Sequence, residues 1–396
     1  MTYKDSNKHI IYVGPFSFPN GGAAARRILG NSQALQEAGF SVTVVSGQSI
    51  IECQAPIFEG VNVNSLGERS AENLPRWLKR LAYVGMGEKT IAWLDALKKK
   101  PYALVLYSGY SPYLLRLIPW CKRNGVRLVF DAVEWYQPDS VVGYLSPYQI
   151  NIELAMRWLL PRVPNIISIS NFLHDHYSAR GCRSTIVPPL LNVVNTKFGD
   201  DDRDPSMPLM LVYAGSPGKK DLLDNIMHAV LQVRLQGFNL KLAVAGINPS
   251  ASALYPSLKL FDPSLVASTI DFVGILNHTD SMDLVRNADF SLLLRNVARY
   301  SQAGFPTKFV ESFSVGTPVI ANLTSDLAQH LVDGVTGFRC EGPSAEDLRL
   351  AIIRAAQISA ASHAEMRRNC RSHALIAFDY RSFSASLSEF FLSARI

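Results

Sequence analysis

The stretch His9–Ser46, HIIYVGPFSFPNGGAAARRILGNSQALQEAGFSVTVVS, decides the fold class. HIIYV is a short apolar run closed by Gly14 and Pro15, which reads as a buried strand. After the pair Gly21 and Gly22, the segment Ala23–Ala38 carries Ile28, Leu29 and Leu35 at helical spacing and stops at Gly39. SVTVVS then supplies the β-branched residues that a strand favours. Strand, glycine turn, helix, glycine and strand make a βαβ unit, whose two strands pair in parallel.

The alternation continues outward from that unit. Ala103–Tyr107, Arg127–Asp131 and Ile166–Ser170 read as further strands separated by helical stretches, which implies a parallel sheet covered on both faces. Asn192–Pro208, NVVNTKFGDDDRDPSMP, breaks the pattern with acidic residues and prolines. Strand, turn and helix then restart: Leu209–Ala214, the turn GSPGKKD, a helix near Leu222–Gln236, and strands at Leu240–Ala245, Ile270–Val273, Phe290–Leu294 and Pro318–Ala321. The expected organisation is two doubly wound halves, 1–195 and 209–377, joined by a linker at 196–208. A C-terminal helix in 378–396 is expected to pack back across the hinge. Sheets of this kind bind ligands outside the carboxyl ends of their strands, so two facing halves would enclose a cleft.

Composition narrows the class. The chain has 396 residues, 48% of them hydrophobic and 18% charged, which suits a well-buried globular protein of two domains. A net charge of +6 without one long basic tract argues against a dedicated nucleic-acid binder. The N-terminus is too short in apolar residues for a secretory signal, and no run reaches membrane-spanning length, so a cytoplasmic protein is expected. The cysteines Cys53, Cys121, Cys182, Cys340 and Cys370 show no CxxC spacing and read as reduced structural thiols with no metal site. Pro75–Lys100 mixes Trp77, Leu78, Leu81, Tyr83 and Trp93 with Lys79, Arg80, Lys98, Lys99 and Lys100. That mixture fits either a helix lying on the cytoplasmic face of a membrane or an ordinary helix with a solvated cationic face.

The stretch richest in chemistry is Gly304–Gly316, GFPTKFVESFSVG, followed by TPVIAN and, at Leu331–Phe338, LVDGVTGF. Pro306 and Thr307 suit a helix start, where free backbone amides attract an anion. Lys308 adds charge in the first turn, and Glu311 follows on the same side. A cation for phosphate beside a carboxylate for sugar hydroxyls makes a nucleotide-sugar site. A capped amphipathic helix with a surface Lys and Glu is the plainer alternative.

These segments in this order, GG after the first strand, YAG with lysines after the linker, DFVG, FPTKFVES, GTPVIA and DGVTGF, resemble the retaining glycosyltransferases of GT-B fold, family 4 or group 1 type. The PTK loop is similar to that of one subset. The resemblance spans nearly the whole chain and is strongest in its C-terminal half. It implies two Rossmann-like domains with the nucleotide-sugar donor held mainly by the second.

In that family the glutamate at the position of Glu311 binds the ribose hydroxyls, as an acceptor-only carboxylate can. A second family glutamate, eight positions earlier, is Ala303 here, which shifts donor binding toward Lys308 and the loop of Gly304, Phe305, Pro306 and Thr307, with the backbone N–H groups of all but Pro306 as donors. In Gly215–Asp221, Ser216 stands in place of the family's arginine, while Lys219 and Lys220 remain as phosphate ligands, Lys220 foremost; a turn with two solvated lysines is the alternative. Arg295, ending the strand SLLLR, is a candidate for the missing cation. Gly22 resembles the glycine loop that nears the donor phosphate, and Phe272 and Val273 of DFVG match the segment whose backbone faces the base, uracil or guanine. On the acceptor side, Asp131 and Glu134 are candidates to orient a hydroxyl, with Tyr110 and Trp135 as sugar platforms; a structural carboxylate is the alternative.

The resemblance thus implies a metal-independent hexosyl- or N-acetylhexosaminyltransferase of polysaccharide biosynthesis, with Lys220, Lys308 and Glu311 as catalytic residues. No cofactor beyond the UDP- or GDP-linked donor is expected. The partners expected are that donor and a glycan, lipid-linked or small-molecule acceptor, with peripheral contact at the inner membrane. A nucleotide-sugar epimerase of the same fold and a silent nucleotide-sugar-binding scaffold are the competing readings.

Overall fold

The apolar runs form two α/β units, Met1–Leu190 with Tyr380–Ile396, and Leu191–Asp379. The computed structural model describes residues 8–49, 56–68, 75, 83–107, 109–138, 141–199, 206–218 and 220–396.

The first unit is built on an 8-stranded sheet ordered β3-β4-β2-β1-β5-β6-β7-β8. Its strands are β1 (His9–Gly14), β2 (Ser41–Ser46), β3 (Ile57–Phe58), β4 (Val61–Ser65), β5 (Ala103–Tyr107), β6 (Arg127–Ala132), β7 (Asn165–Ser168) and β8 (Arg183–Ile186). All neighbours pair in parallel except β3 with β4. Ile10, Ile11, Tyr12 and Val13 of the central strand are fully buried, as expected where helices cover both faces. The order reverses at β1, between β2 and β5, which is the topological switch point of this sheet.

The last helix, Ser384–Leu392, belongs to this first unit although it follows the second in sequence. Leu387, Phe390 and Phe391 enter its core beside Phe40 and Val42, and the Tyr102 hydroxyl donates to the Phe391 carbonyl.

The second unit carries a 6-stranded parallel sheet, β11-β10-β9-β12-β13-β14. Its strands are β9 (Leu209–Ala214), β10 (Leu240–Ala245), β11 (Ile270–Gly274), β12 (Phe290–Leu293), β13 (Val319–Asn322) and β14 (Gly337–Cys340). The core is Leu211, Tyr213, Ile226, Met227, Val230, Leu242, Phe290 and their neighbours, so the helix Leu223–Leu235 lays its apolar stripe on the sheet. The switch point lies between β9 and β12.

Strands with long apolar runs match their expected spans closely, whereas β3, β4, β8 and β14 were not anticipated. VNVNS in β4 and RSTI in β8 are short and polar, and pairing rather than apolar content makes them strands. No helix among the described residues is long and apolar enough to cross a membrane. Of the mixed aromatic and basic stretch, Trp77, Leu78, Lys79, Arg80 and Leu81 fall outside the described residues. Its far end forms the helix Glu88–Asp95, with the Lys100 ammonium 5.2 Å from the centre of the Trp120 ring.

Behind the helix Thr307–Ser314, an aromatic cluster of Phe305, Phe309, Phe313 and Phe378 encloses His330 and His373, whose ring nitrogens are 2.8 Å apart. Burial, then the neighbouring His373, lowers His330 to a pKa of about 4, and burial lowers His373 as well. Both groups bind protons less readily folded than unfolded, so the stability that their neutral pairing contributes is complete above the ordinary histidine value. It is lost as pH falls from about 6.5 toward 4. Thermal melts across that range should show the second unit weakening, with the slope flattened in His330→Phe. An equal slope in that variant would assign the acid sensitivity elsewhere.

Candidate functional site

At the switch point of the second sheet, β9 ends in the turn that leads to Asp221, and Arg295 follows β12. An antiparallel bridge joins Asp221 to Arg295, and the Leu222 amide donates to the Leu294 carbonyl at 2.8 Å. This places the Asp221 carboxylate, 8% exposed, between two cations. Lys308 Nζ donates to its Oδ2 at 2.5 Å, and Arg295 Nε lies 3.4 Å from its Oδ1. The Tyr213 hydroxyl donates to the same Oδ2 at 2.7 Å, while the Lys308 ammonium sits 4.0 Å from the centre of the Tyr213 ring.

Burial draws the Lys308 ammonium below the ordinary lysine range, and Asp221 pulls it back up. Burial, and then Asp221, pushes the Tyr213 phenol far up, so it stays a proton donor. Arg295 is 5% exposed, and its Nε and Nη1 have no hydrogen-bond partner among the described residues. Arg295 and the partly exposed Lys308 thus share the Asp221 carboxylate, Glu311 also acts on Lys308, and the unbonded nitrogens of the buried Arg295 suit a further anion.

Gly215, directly after β9, explains how the lysine gets there. Its φ is +123°, and a Cβ added to it would lie 2.5 Å from Lys308 Cε, so only glycine lets the lysine stem cross the loop.

The helix Thr307–Ser314 starts with Pro306 as its N-cap residue and without a side-chain cap. Phe309, Val310 and Phe313 bury one face, leaving Lys308 and the half-buried Glu311 on the other. Glu311 Oε1 lies 3.9 Å from His278 Nδ1 at the start of the helix His278–Arg286. Gly304 and Pro306 are buried, and the Phe305 ring is spent on the aromatic cluster, packing 5.5 Å from His330; from this loop, backbone is what remains to meet a ligand. Ala303 is fully buried. Lys220 is half-buried in the turn just ahead of Asp221, and Lys219 lies outside the described residues. Phe272 packs against the second core, and Val273 beside it is half-buried in β11, the outermost strand.

The first unit holds a cavity of roughly 430 Å³ at its own switch point. Gly21, Tyr107, Tyr110, Phe130, Val133, Glu134, Tyr136, Tyr148, Asn151 and Met156 line it, so one carboxylate stands among four tyrosines. Burial, then Glu134, raises the Tyr136 phenol well above its usual range, leaving it a donor beside that carboxylate. Gly21 caps the helix Gly22–Glu37 so tightly that a Cβ would lie 2.0 Å from the Ser17 carbonyl oxygen. Gly22 opens that helix at φ +61°. Hydroxyl acceptors and aromatic faces together suit a polyhydroxylated ligand.

Two acceptor-side expectations change. Asp131 is wholly buried: Arg27 donates to its Oδ1 from Nε at 2.9 Å and from Nη2 at 2.7 Å, and Tyr12 and Asn31 donate to its Oδ2. Burial raises this carboxyl and Arg27 pulls it back, so its chemistry is consumed inside the fold. Trp135, 3% exposed, packs against His176 and under the Arg157 guanidinium and offers no face to a sugar. Tyr110 and Glu134 do line the cavity.

Asp221, Tyr213 and His278 in the second unit, and Tyr107, Tyr136, Tyr148 and Asn151 in the first, escaped the sequence reading. Asp221 stood in the quoted GSPGKKD turn, and its place directly after two lysines was the one available signal.

Residues 197–374 match the family model described as glycosyl transferases group 1. A glycogen synthase of Pseudomonas paraeruginosa is 28% identical over 152 residues, covering 36% of this chain and 28% of that relative's length. Sucrose-phosphate synthase of Thermosynechococcus elongatus superposes with a TM-score of 0.73 at 15% identity over 97% of this chain and 98% of its own. HepE of Anabaena, solved with UDP and glucose, gives 0.69 at 14% identity over 98% and 100%. TarM gives 0.73 at 8% identity over 98% and 99%. At these identities the structures establish the shared GT-B fold.

Proposed function

Because residues 197–374 match the family model of glycosyl transferases group 1, within a chain of GT-B fold, we propose that this protein is a retaining glycosyltransferase. It moves a hexosyl or N-acetylhexosaminyl group from a UDP- or GDP-linked donor to a hydroxyl of a glycan, lipid-linked or small-molecule acceptor. The observation that carries this reading is the Lys308, Asp221 and Arg295 cluster, which sets two cations and the nearby Glu311 at the strand ends of the second sheet.

In this reading the donor's diphosphate lies against Lys308, Arg295 and the first amides of the helix Thr307–Ser314. Glu311 accepts from the ribose hydroxyls, and the end of β11 faces the base. The anomeric C–O bond breaks with its electron pair passing to the phosphate oxygen. The acceptor oxygen bonds to the anomeric carbon on the same face, and its proton passes to that phosphate oxygen. Cations already held in place stabilise the charge that develops there, which makes a divalent metal unnecessary. Glu134 and the tyrosines of the first unit's cavity hold the acceptor.

A thermal-shift panel of UDP, GDP and ADP, each with its 2′-deoxy form, tests the donor assignment. One ribonucleotide should raise Tm and its 2′-deoxy form should do so less. Glu311→Ala should weaken the ribonucleotide about 10- to 100-fold, the range of a lost charge-assisted hydrogen bond, and erase the difference between the two forms. No shift with any nucleotide, or equal binding of both forms to the wild type, would refute it. Binding without turnover of any nucleotide sugar would instead favour a silent binding protein.

A further inference from the structure

We propose that Asp221 is the site's internal counter-ion, a positioning residue that holds Lys308 and Arg295 ready and competes with the nucleoside diphosphate for them, thereby setting how readily the spent nucleotide leaves. The inference rests on the donor site proposed above.

The carboxylate is fixed from both sides. Its backbone is pinned by the bridge to Arg295 and by the 3.2 Å hydrogen bond from the Asp221 amide to the Pro217 carbonyl. Its side chain is gripped by Lys308 at 2.5 Å and Tyr213 at 2.7 Å. Lys308 therefore meets an incoming phosphate already oriented, with its stem clamped between Gly215 and the Tyr213 ring. The same carboxylate is a negative charge held permanently beside the place assigned to the diphosphate.

Like charges repel most strongly where solvent is excluded. The diphosphate gains one negative charge when the glycosidic bond breaks and keeps it once the proton taken from the acceptor has passed on to solvent, so Asp221 opposes the product more than the donor. Without this carboxylate, the two cations would hold the product tightly and turnover would stall on release. With it, part of the product's binding is returned at each cycle. Arg295, whose Nε and Nη1 find no hydrogen-bond partner among the described residues, keeps a cation in place when Lys308 turns from carboxylate to phosphate.

Isothermal titration of the full-length chain with UDP, GDP, ADP and inorganic pyrophosphate tests this, using Asp221→Asn, which keeps the acceptor for Tyr213 and removes the charge. The expected result is at least tenfold tighter binding both of pyrophosphate and of the nucleotide that the wild type selects. The donor's KM should change less than the product's inhibition constant, and kcat should fall. A residue that merely shaped the loop would give the opposite sign, so unchanged or weaker binding by a folded variant overturns the proposal. Asp221→Ser puts the same question if the Asn chain does not fold. Failure of both to fold even with pyrophosphate present also overturns it, because a counter-ion exchangeable for diphosphate is not one the fold depends on. If the wild type binds none of the four probes, the donor site itself is wrong.

Discussion

Replacing Lys308 with Met is expected to lower kcat/KM for sugar transfer about 10²- to 10³-fold with the fold intact. That is the range observed when one preorganised charge-stabilising donor is removed from an active site. Met keeps most of the stem that packs against Gly215 and the Tyr213 ring, so the loss isolates the ammonium. Lys308→Arg should not rescue it. The lysine stem passes so close to Gly215 that a single added carbon there would sit 2.5 Å from Cε, and a planar guanidinium needs more room than the ammonium it would replace. Steady-state kinetics on the donor selected by the nucleotide panel decide the matter: a Met variant with more than a tenth of wild-type kcat/KM removes Lys308 from the mechanism.

Asp131→Ala is expected to act on stability instead, lowering that of the first unit by about 3–5 kcal/mol. Removing one partner of a buried ion pair strands the other, and here the Arg27 guanidinium, 3% exposed, would lose both of its carboxylate bonds. The hydrogen bonds from Arg27 to the Val187 and Pro188 carbonyls would remain but carry no charge to match it. The measurement is direct because all five tryptophans of the chain, at positions 77, 93, 120, 135 and 158, lie in the first unit. Urea unfolding followed by tryptophan fluorescence therefore reports on this unit. A loss of activity at unchanged stability would return Asp131 to the acceptor site. Unchanged activity per folded molecule would leave Glu134 as the carboxylate that faces the acceptor.

The alternation of apolar runs and glycines made the architecture legible. HIIYV, SVTVVS, ALVLY and LMLVYA are buried strands because nothing else accommodates such runs so economically, and Gly39 and Gly316 end helices where they were expected to. The polar strands β4 and β8 were hidden because pairing partners, not side chains, create them. At the site, Lys308 and Glu311 were readable since one helical turn puts them on one side. Arg295 was readable from its place at a strand end. Trp135 misled because an aromatic residue after a strand looks the same whether it faces a ligand or the core.

What the sequence alone determined, then, was the class of fold, the order of its elements and the local reach of the helix Thr307–Ser314, all of which depend on short-range periodicity. Only the tertiary structure decided that Asp221 meets Lys308 across 87 positions and that Asp131 is consumed by Arg27 across 104. A carboxylate in a strand, like Asp131, or beyond the turn after one, like Asp221, carries no local mark of its partner. Whether it faces a cavity or an arginine depends on which distant strand ends the sheet order brings together, and that is settled by packing of the whole unit.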